Sequence, residues 1–301
     1  MQPMAQDTLV MDSAEVKVTP SSAPLGAVVS GVDIRNLPER DLLRVRDAVL
    51  RHSVVVIRDQ QLTPDDQSAF MDRLYGLRPS RGFPAHSVPG KPGMVVVSNI
   101  LKDGRPIGMT DAGMLWHTDT CFTPNPEVFV SLYALEVPFK DDVALGDTRF
   151  MSATAAYEAL SDDLKRELAG RRVRQSWEFH MNKMSRLGAL TRPPLTAEEK
   201  ATLPEPWHPV VRTHPITGRK LLYVNESFSE RIEGLSEALS QELLEQLWKH
   251  VADPRFQFRL SWRKRDLVVW DNCATQHLAT FDYGAIPRLL HRCGTSGPVP
   301  E

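Results

Sequence analysis

His117-Thr118-Asp119 and the distant His277 constrain this chain more than any other feature, because they can act together only in a fold that joins their segments. Residues two apart on an extended strand point the same way, so His117 and Asp119 can face one metal ion. His277 completes a set of two histidines and one carboxylate on one face of that ion. Such a set leaves coordination positions open and is associated with non-haem Fe(II) oxygenases, so O2 activation is the expectation. Two plainer arrangements use the same residues: a His–Asp hydrogen bond in the core, and a structural zinc site. Trp116 and Phe122 flank the motif with apolar surface, where two polar groups are costly unless something satisfies them.

A second constraint sits near the C-terminus, in Arg288-Leu289-Leu290-His291-Arg292. On a strand, Arg288, Leu290 and Arg292 face one side. Two guanidinium groups on one buried face are costly unless anions meet them. The arginine fork forms two parallel hydrogen bonds to a carboxylate or sulfonate, so one or two small organic anions are the natural ligands. The plain alternative is an outward strand with solvated arginines, and His277 shortly upstream weighs against it. Trp270-Asp271-Asn272 ends an apolar strand with a turn signal, which places His277 near the start of the next element.

Composition narrows the partners. A formal net charge of −2 gives no electrostatic reason to expect nucleic acid or an anionic membrane. No apolar run approaches the roughly 20 residues needed to cross a bilayer. The acidic residues near the N-terminus, with no basic region followed by an apolar block, argue against a secretory signal and for a cytoplasmic protein. The three cysteines, Cys121, Cys273 and Cys293, have no CxxC spacing and read as reduced thiols. Cys121 and Cys273 lie close in sequence to the candidate ligands, so oxidative sensitivity is an expectation.

Along the chain, residues 1–18 read as an N-terminal tail and 19–301 as one strand-rich domain with appended helices. Leu25 to Ile34 reads as a short β element. Leu42, Leu43, Val45, Val49 and Leu50 fall at helical spacing over Asp41 to His52, ahead of the β-branched strand Ser53 to Ile57. Thr63-Pro64 starts a second helix that runs to about Tyr75 and stops at Gly76. Strands are expected at Met94–Asn99, Val128–Leu135, Leu221–Val224, Phe256–Trp262, Leu267–Trp270 and Arg288–Cys293, and helices at Ser152–Leu168 and Ser236–Val251. Residues 173–206 look irregular, as lids often do. Their Trp177, Phe179, His180 and Met181 fit a pocket lining and a loop packed on the core equally well.

Five motifs in order, WHTDTCF (116–122), ALGDT (144–148), HPVVRTHPITGRKLLYVNESF (208–228), WDNCATQHLA (270–279) and RLLHR (288–292), resemble the taurine dioxygenase / 2,4-dichlorophenoxyacetate dioxygenase family. LGAVVSGVDI and LTPDDQSAF match its N-terminal pattern, so the resemblance covers about residues 16 to 297. It implies a mixed α/β, strand-rich fold with a double-stranded β-helix (jelly-roll) core and flanking helices. By position, it implies iron ligation by His117, Asp119 and His277. Thr148 and Arg288 would hold the distal carboxylate of 2-oxoglutarate, and Arg292, with His86, would contact substrate; a solvated loop histidine is the other reading of His86. The chain departs from the family in Leu145-Gly146-Asp147-Thr148 where Gly-Gly-Asp-Thr is common, and in Cys273 where arginine is common. It also lacks the asparagine that the taurine enzyme uses ahead of its His-x-Asp motif, which argues against taurine itself.

The resemblance implies an Fe(II)- and 2-oxoglutarate-dependent dioxygenase that consumes O2, releases succinate and CO2, and hydroxylates a C–H bond of a small anionic substrate. An ether, amine or sulfonate product could then fragment; desaturation or cyclisation starts from the same hydrogen abstraction. Asp119 argues against halogenation, since halide needs the position the carboxylate fills. The family also implies a homo-oligomer. A different class of reading is a non-catalytic jelly-roll that senses an anion or metal; the complete ligand set and both arginines weigh against it.

Overall fold

The computed structural model describes residues 16–75 and 86–301. Its framework is a sheet of eight strands in the order Lys17–Pro20, Ala27–Ser30, Val54–Ile57, Leu267–Asp271, Glu127–Glu136, Leu289–Ser296, Lys91–Ser98 and Ser87–Val88. Every neighbouring pair is antiparallel except Ala27–Ser30 with Val54–Ile57. The central strands come from both ends and the middle of the chain, so late residues lie beside early ones. A three-stranded sheet, Gln257–Leu260, Thr148–Ser152 and Thr275–Ala279, faces the large one.

Side-chain alternation explains why the large sheet is buried on both faces. Val54, Val56, Val130, Leu132, Val268, Trp270 and Leu290 pack toward Phe150 and Leu260 of the small sheet. Val55, Ile57, Phe129, Tyr133, Leu267 and Val269 point the other way, into the core that contains the apolar stripes of helices Glu39–His52 and Pro64–Tyr75. Each such side chain contributes about 1.5–3 kcal/mol relative to an exposed one. Among the described residues no helix is long and apolar enough to cross a membrane.

Several expectations need correction. Lys17–Pro20 pairs with Ala27–Ser30, so the supposed tail already belongs to the sheet at Lys17. The second helix begins as expected, with Thr63 Oγ1 accepting from the Asp66 amide and Asp66 accepting from the Thr63 amide; Gly76, its expected stop, lies outside the described residues. Ser152–Leu168 is two helices, Ala153–Glu158 and Asp162–Leu168, because Ser161 caps the second by accepting from the Leu164 amide. Residues 173–206 are not irregular throughout: they hold most of strand Arg172–Gln175 and the helices Trp177–Arg186 and Ala197–Thr202.

Candidate active site

The site lies between the two sheets. His277 is on the small-sheet strand Thr275–Ala279, paired through Phe150 to Thr148–Ser152. The Phe150 ring lies nearly parallel to the imidazole at 5.7 Å, and Trp270 meets it edge-on at 5.1 Å. His117 is not on a regular strand, as its spacing to Asp119 suggested. It forms an isolated antiparallel bridge with His277, in which each backbone amide donates to the other's carbonyl at 2.9 and 3.2 Å. The chain then turns, with Thr120 at φ 53°, a conformation that disfavours a β-branched residue. Asp119 lies at the start of this turn, with its carboxylate on the same side as the His117 imidazole.

One ligating atom from each of His117, Asp119 and His277 lies within 4.8 Å of the others. His117 Nε2 is 3.5 Å from Asp119 Oδ1, and His277 Nε2 is 3.8 Å from Asp119 Oδ2. His117 Nδ1–H donates to the Leu115 carbonyl at 2.9 Å, which leaves the Nε2 lone pair for a ligand. Burial, then the neighbouring His117, pushes His277 down to about 3, so its imidazole is neutral as a ligand must be. Burial alone would raise the Asp119 carboxyl, but Arg292, His277 and His117 outweigh it and hold the group well below the usual carboxylate range. Asp119 Oδ2 is buried with no well-aligned hydrogen bond among the described residues, although Arg292 Nη2 lies 3.0 Å away as an ion-pair partner. The donor set, two neutral imidazoles and an ionised carboxylate converging within 4.8 Å, fits a divalent metal.

Asn272 supports the set and was legible in the sequence only as a turn residue. Its Nδ2 donates to the Asp119 and Glu127 carbonyls at 3.0 and 2.8 Å, and its Oδ1 accepts from the Asp119 amide at 3.0 Å.

Beside the set, His277, Trp270, Leu132, Thr148 and Arg288 line a pocket. Thr148 Oγ1 accepts from Trp262 Nε1 at 3.0 Å, which leaves its own proton for another acceptor. Arg288 is buried, lies over the Tyr283 ring, and its Nη2 donates only a long bond, 3.4 Å, to the Gly146 carbonyl. No carboxylate pairs with it among the described residues, and burial lowers its pKa, so a bound anion would meet an uncompensated guanidinium. Gly146 has φ 73°, and a Cβ there would sit 3.0 Å from Arg288 Nε, which explains the glycine of Gly146-Asp147-Thr148. Arg288 and Arg292 do share a face, as expected. Arg292, however, is engaged by protein: its Nη2 lies 3.0 Å from Asp119 Oδ2 and its fork donates to Glu127.

The wider cleft, about 610 Å³ including its open mouth, is lined by Phe122, Trp177, His180, Phe228, Arg192 and Met109 among others. Trp177 and His180 therefore face the cleft, whereas Met181 is core and Phe179 borders a separate groove. His86 is half-buried; burial first, then Arg192, lowers its pKa, so it lies near the mouth without lining the cleft. The cysteines are buried, and burial pushes Cys273 up to about 12 and Cys293 to about 11, with Cys121 higher still. Thiols held protonated this way resist oxidation, against the expectation from their sequence positions. A second buried group, His214, Asp271 and Cys273, lies against Arg212, whose charge already balances the carboxylate.

The comparisons agree with this geometry. The family model for taurine catabolism dioxygenases of the TauD, TfdA family matches residues 17–293. Pentalenolactone F synthase of Streptomyces arenae is 32% identical over 273 residues, covering 87% of this chain and 89% of that protein. An alpha-ketoglutarate-dependent sulfate ester dioxygenase of Pseudomonas putida is 31% identical, covering 95% of this chain and 91% of its own. The crystal structure of AAD-2 in complex with Mn(II) and N-oxalylglycine superposes with a TM-score of 0.78 at 30% identity, over 95% of this chain and 99% of that one. This chain belongs to the TauD/TfdA family of dioxygenases.

Proposed function

We propose that the protein hydroxylates a C–H bond of a small organic anion, a carboxylate or sulfonate. As a family member it is a 2-oxoglutarate-dependent dioxygenase that uses Fe(II), 2-oxoglutarate and O2. In this reading the two facing sheets are the sides of a double-stranded β-helix, residues 19–301 act as one domain, and 173–206 form a lid over the cleft. When bound, the metal and cosubstrate supply the oxidation: 2-oxoglutarate, O2 and the substrate C–H become succinate, CO2 and the alcohol.

His117, Asp119 and His277 would hold the metal, a donor set of two imidazoles and one carboxylate. Thr148 donates a hydrogen bond to the distal carboxylate of 2-oxoglutarate, and Arg288 supplies its counter-charge. Trp270 and Phe150 hold the His277 ring in place. The aromatic rings of Phe122, Trp177 and Phe228 keep water away and orient the target bond.

The observation that carries the reading is the juxtaposition of the ligand set with a pocket lined by two arginines, of which Arg292 is paired with Asp119 and Glu127 while Arg288 has no carboxylate partner among the described residues. Succinate formation from 2-oxoglutarate with Fe(II), ascorbate and O2, across small sulfonates, aryloxyalkanoates and amino acids, tests it. Substrate-stimulated succinate is expected, and Asp119→Ala abolishes it; full turnover in that variant would sink the ligand assignment.

A further inference from the structure

The cleft beside the ligand set has two arginines, and they stand in opposite situations. Arg292, at the inner wall, is buried and already holds two carboxylates. Its Nη2 is 3.0 Å from Asp119 Oδ2, its Nη1 donates to Glu127 Oε1 at 3.3 Å, and its Nη2 also donates to Glu127 Oε2. Glu127 is 1% exposed, and its backbone is fixed on both sides. Its amide donates to Thr120 Oγ1 at 2.8 Å and its carbonyl accepts from Asn272. On the facing strand stands Gly294, where a Cβ would fall directly on the Glu127 carboxylate. The pair therefore occupies space that the strand leaves for it. A substrate anion seeking Arg292 would have to displace a buried carboxylate with nowhere to go.

Arg192, at the mouth, is 30% exposed in its side chain and lies 5.3 Å over the Trp177 ring. Its one hydrogen bond to protein among the described residues is a 3.4 Å contact to Asp111, a carboxylate that also accepts from Thr191 and so tethers the turn. The rest of its fork has no hydrogen bond among the described residues. Between the two arginines the wall is mainly aromatic: Phe122 lies 4.8 Å from Trp177 and 4.9 Å from Phe228, ring to ring, and the His180 imidazole lies 4.8 Å from Phe228.

Resting on the function proposed above, we infer that Glu127 withdraws Arg292 from substrate recognition and that Arg192 holds the substrate's anionic group at the mouth. The substrate class is then an amphiphilic anion with its apolar end inward, against Phe122, Trp177 and Phe228. The bond presented to the metal lies at the apolar end, away from the carbon that bears the charge. Glu127 acts through Arg292 and is a positioning residue; Arg192 touches the substrate.

Binding without turnover tests this, using protein loaded with Mn(II) and N-oxalylglycine. The probes are 4-phenylbutyrate and its neutral counterpart 4-phenylbutanol, titrated by calorimetry. The acid is expected to bind at least about tenfold more tightly than the alcohol, and Arg192→Gln, a change at a part-exposed side chain, to equalise them. Glu127→Gln frees Arg292 and is expected to confer binding of a short sulfonate, taurine, that the native protein binds at least about tenfold more weakly. An acid preference that survives Arg192→Gln overturns the inference, as does equal binding of acid and alcohol by the native protein. Failure of N-oxalylglycine to bind the Mn(II) protein is read in the same titration and overturns the function reading itself.

Discussion

Asn272 touches no ligating atom of the metal set, yet it holds both the amide and the carbonyl of Asp119 and so fixes where that carboxylate stands. Asn272→Ala would leave the buried Asp119 amide and Glu127 carbonyl without their partner. That is expected to cost about 2–4 kcal/mol of stability and to weaken Mn(II) binding by about 10–100-fold. Urea unfolding and metal titration measure the two separately; unchanged Mn(II) affinity in a folded variant would show that Asp119 is placed by its turn alone. At this scale the sequence revealed residues whose types are uncommon together, His117, Asp119 and His277. It did not reveal Asn272, because an asparagine after Trp270-Asp271 reads as an ordinary turn. Glu127 was equally hidden, since a lone glutamate is solvent-facing unless a partner far along the chain says otherwise. Arg292 was expected to be buried and anion-bound, and it is, but the anions in the structure are the protein carboxylates of Asp119 and Glu127.

The loop that carries Gly146 shows the same logic for an element. Its φ of 73° and the approach of Arg288 Nε make two separate demands on one position. Gly146→Ala is expected to lose about 1–2 kcal/mol to the backbone conformation. It is also expected to lower N-oxalylglycine affinity of the Mn(II) protein by about tenfold as Arg288 is pushed aside. Gly218 has φ 70° with nothing within 4 Å of a built Cβ, so Gly218→Ala carries the backbone cost alone and serves as the comparison. Equal N-oxalylglycine affinities in the two variants would refute the steric role. Elements with a single strong signal were legible: the leucine spacing of Glu237–Val251, or the β-branched run of Val54–Ile57. The interruption at Ser161 was not, because the apolar spacing continues across it while the serine caps a new helix. Helix Trp177–Arg186 was missed because prolines further along the segment gave the whole region a loop's composition.

For the whole molecule, strand content and a buried two-faced sheet followed from alternation, but the strand order could not, since it depends on which distant segments pair. The folded molecule also buries imidazoles, which has a consequence for acid stability. Burial is the largest cause in each case: it pushes His180 and His208 down to about 4 and His277 to about 3, from 6.5. In the unfolded chain all three take up protons below about pH 6.5, while the folded chain keeps them neutral. Stability present above 6.5 is therefore lost as pH falls toward 4, with a slope of about 1.4 kcal/mol per pH unit for each imidazole in that window. At pH 5 each has withdrawn about 2 kcal/mol, a large share of a typical stability of about 5–15 kcal/mol. Most of this window lies above the ordinary carboxylate range, so the histidines dominate it. Urea midpoints of metal-free protein between pH 7.5 and 4.5 are expected to fall accordingly. His208 Nε2–H donates to the Thr123 carbonyl at 3.0 Å, and a glutamine amide can replace that donor. His208→Gln is thus expected to flatten the slope by about one imidazole's worth, roughly 1.4 kcal/mol per pH unit. A slope unchanged by that substitution would mean that His208 takes up its proton in the folded protein, and that its burial is not what makes the molecule acid-sensitive.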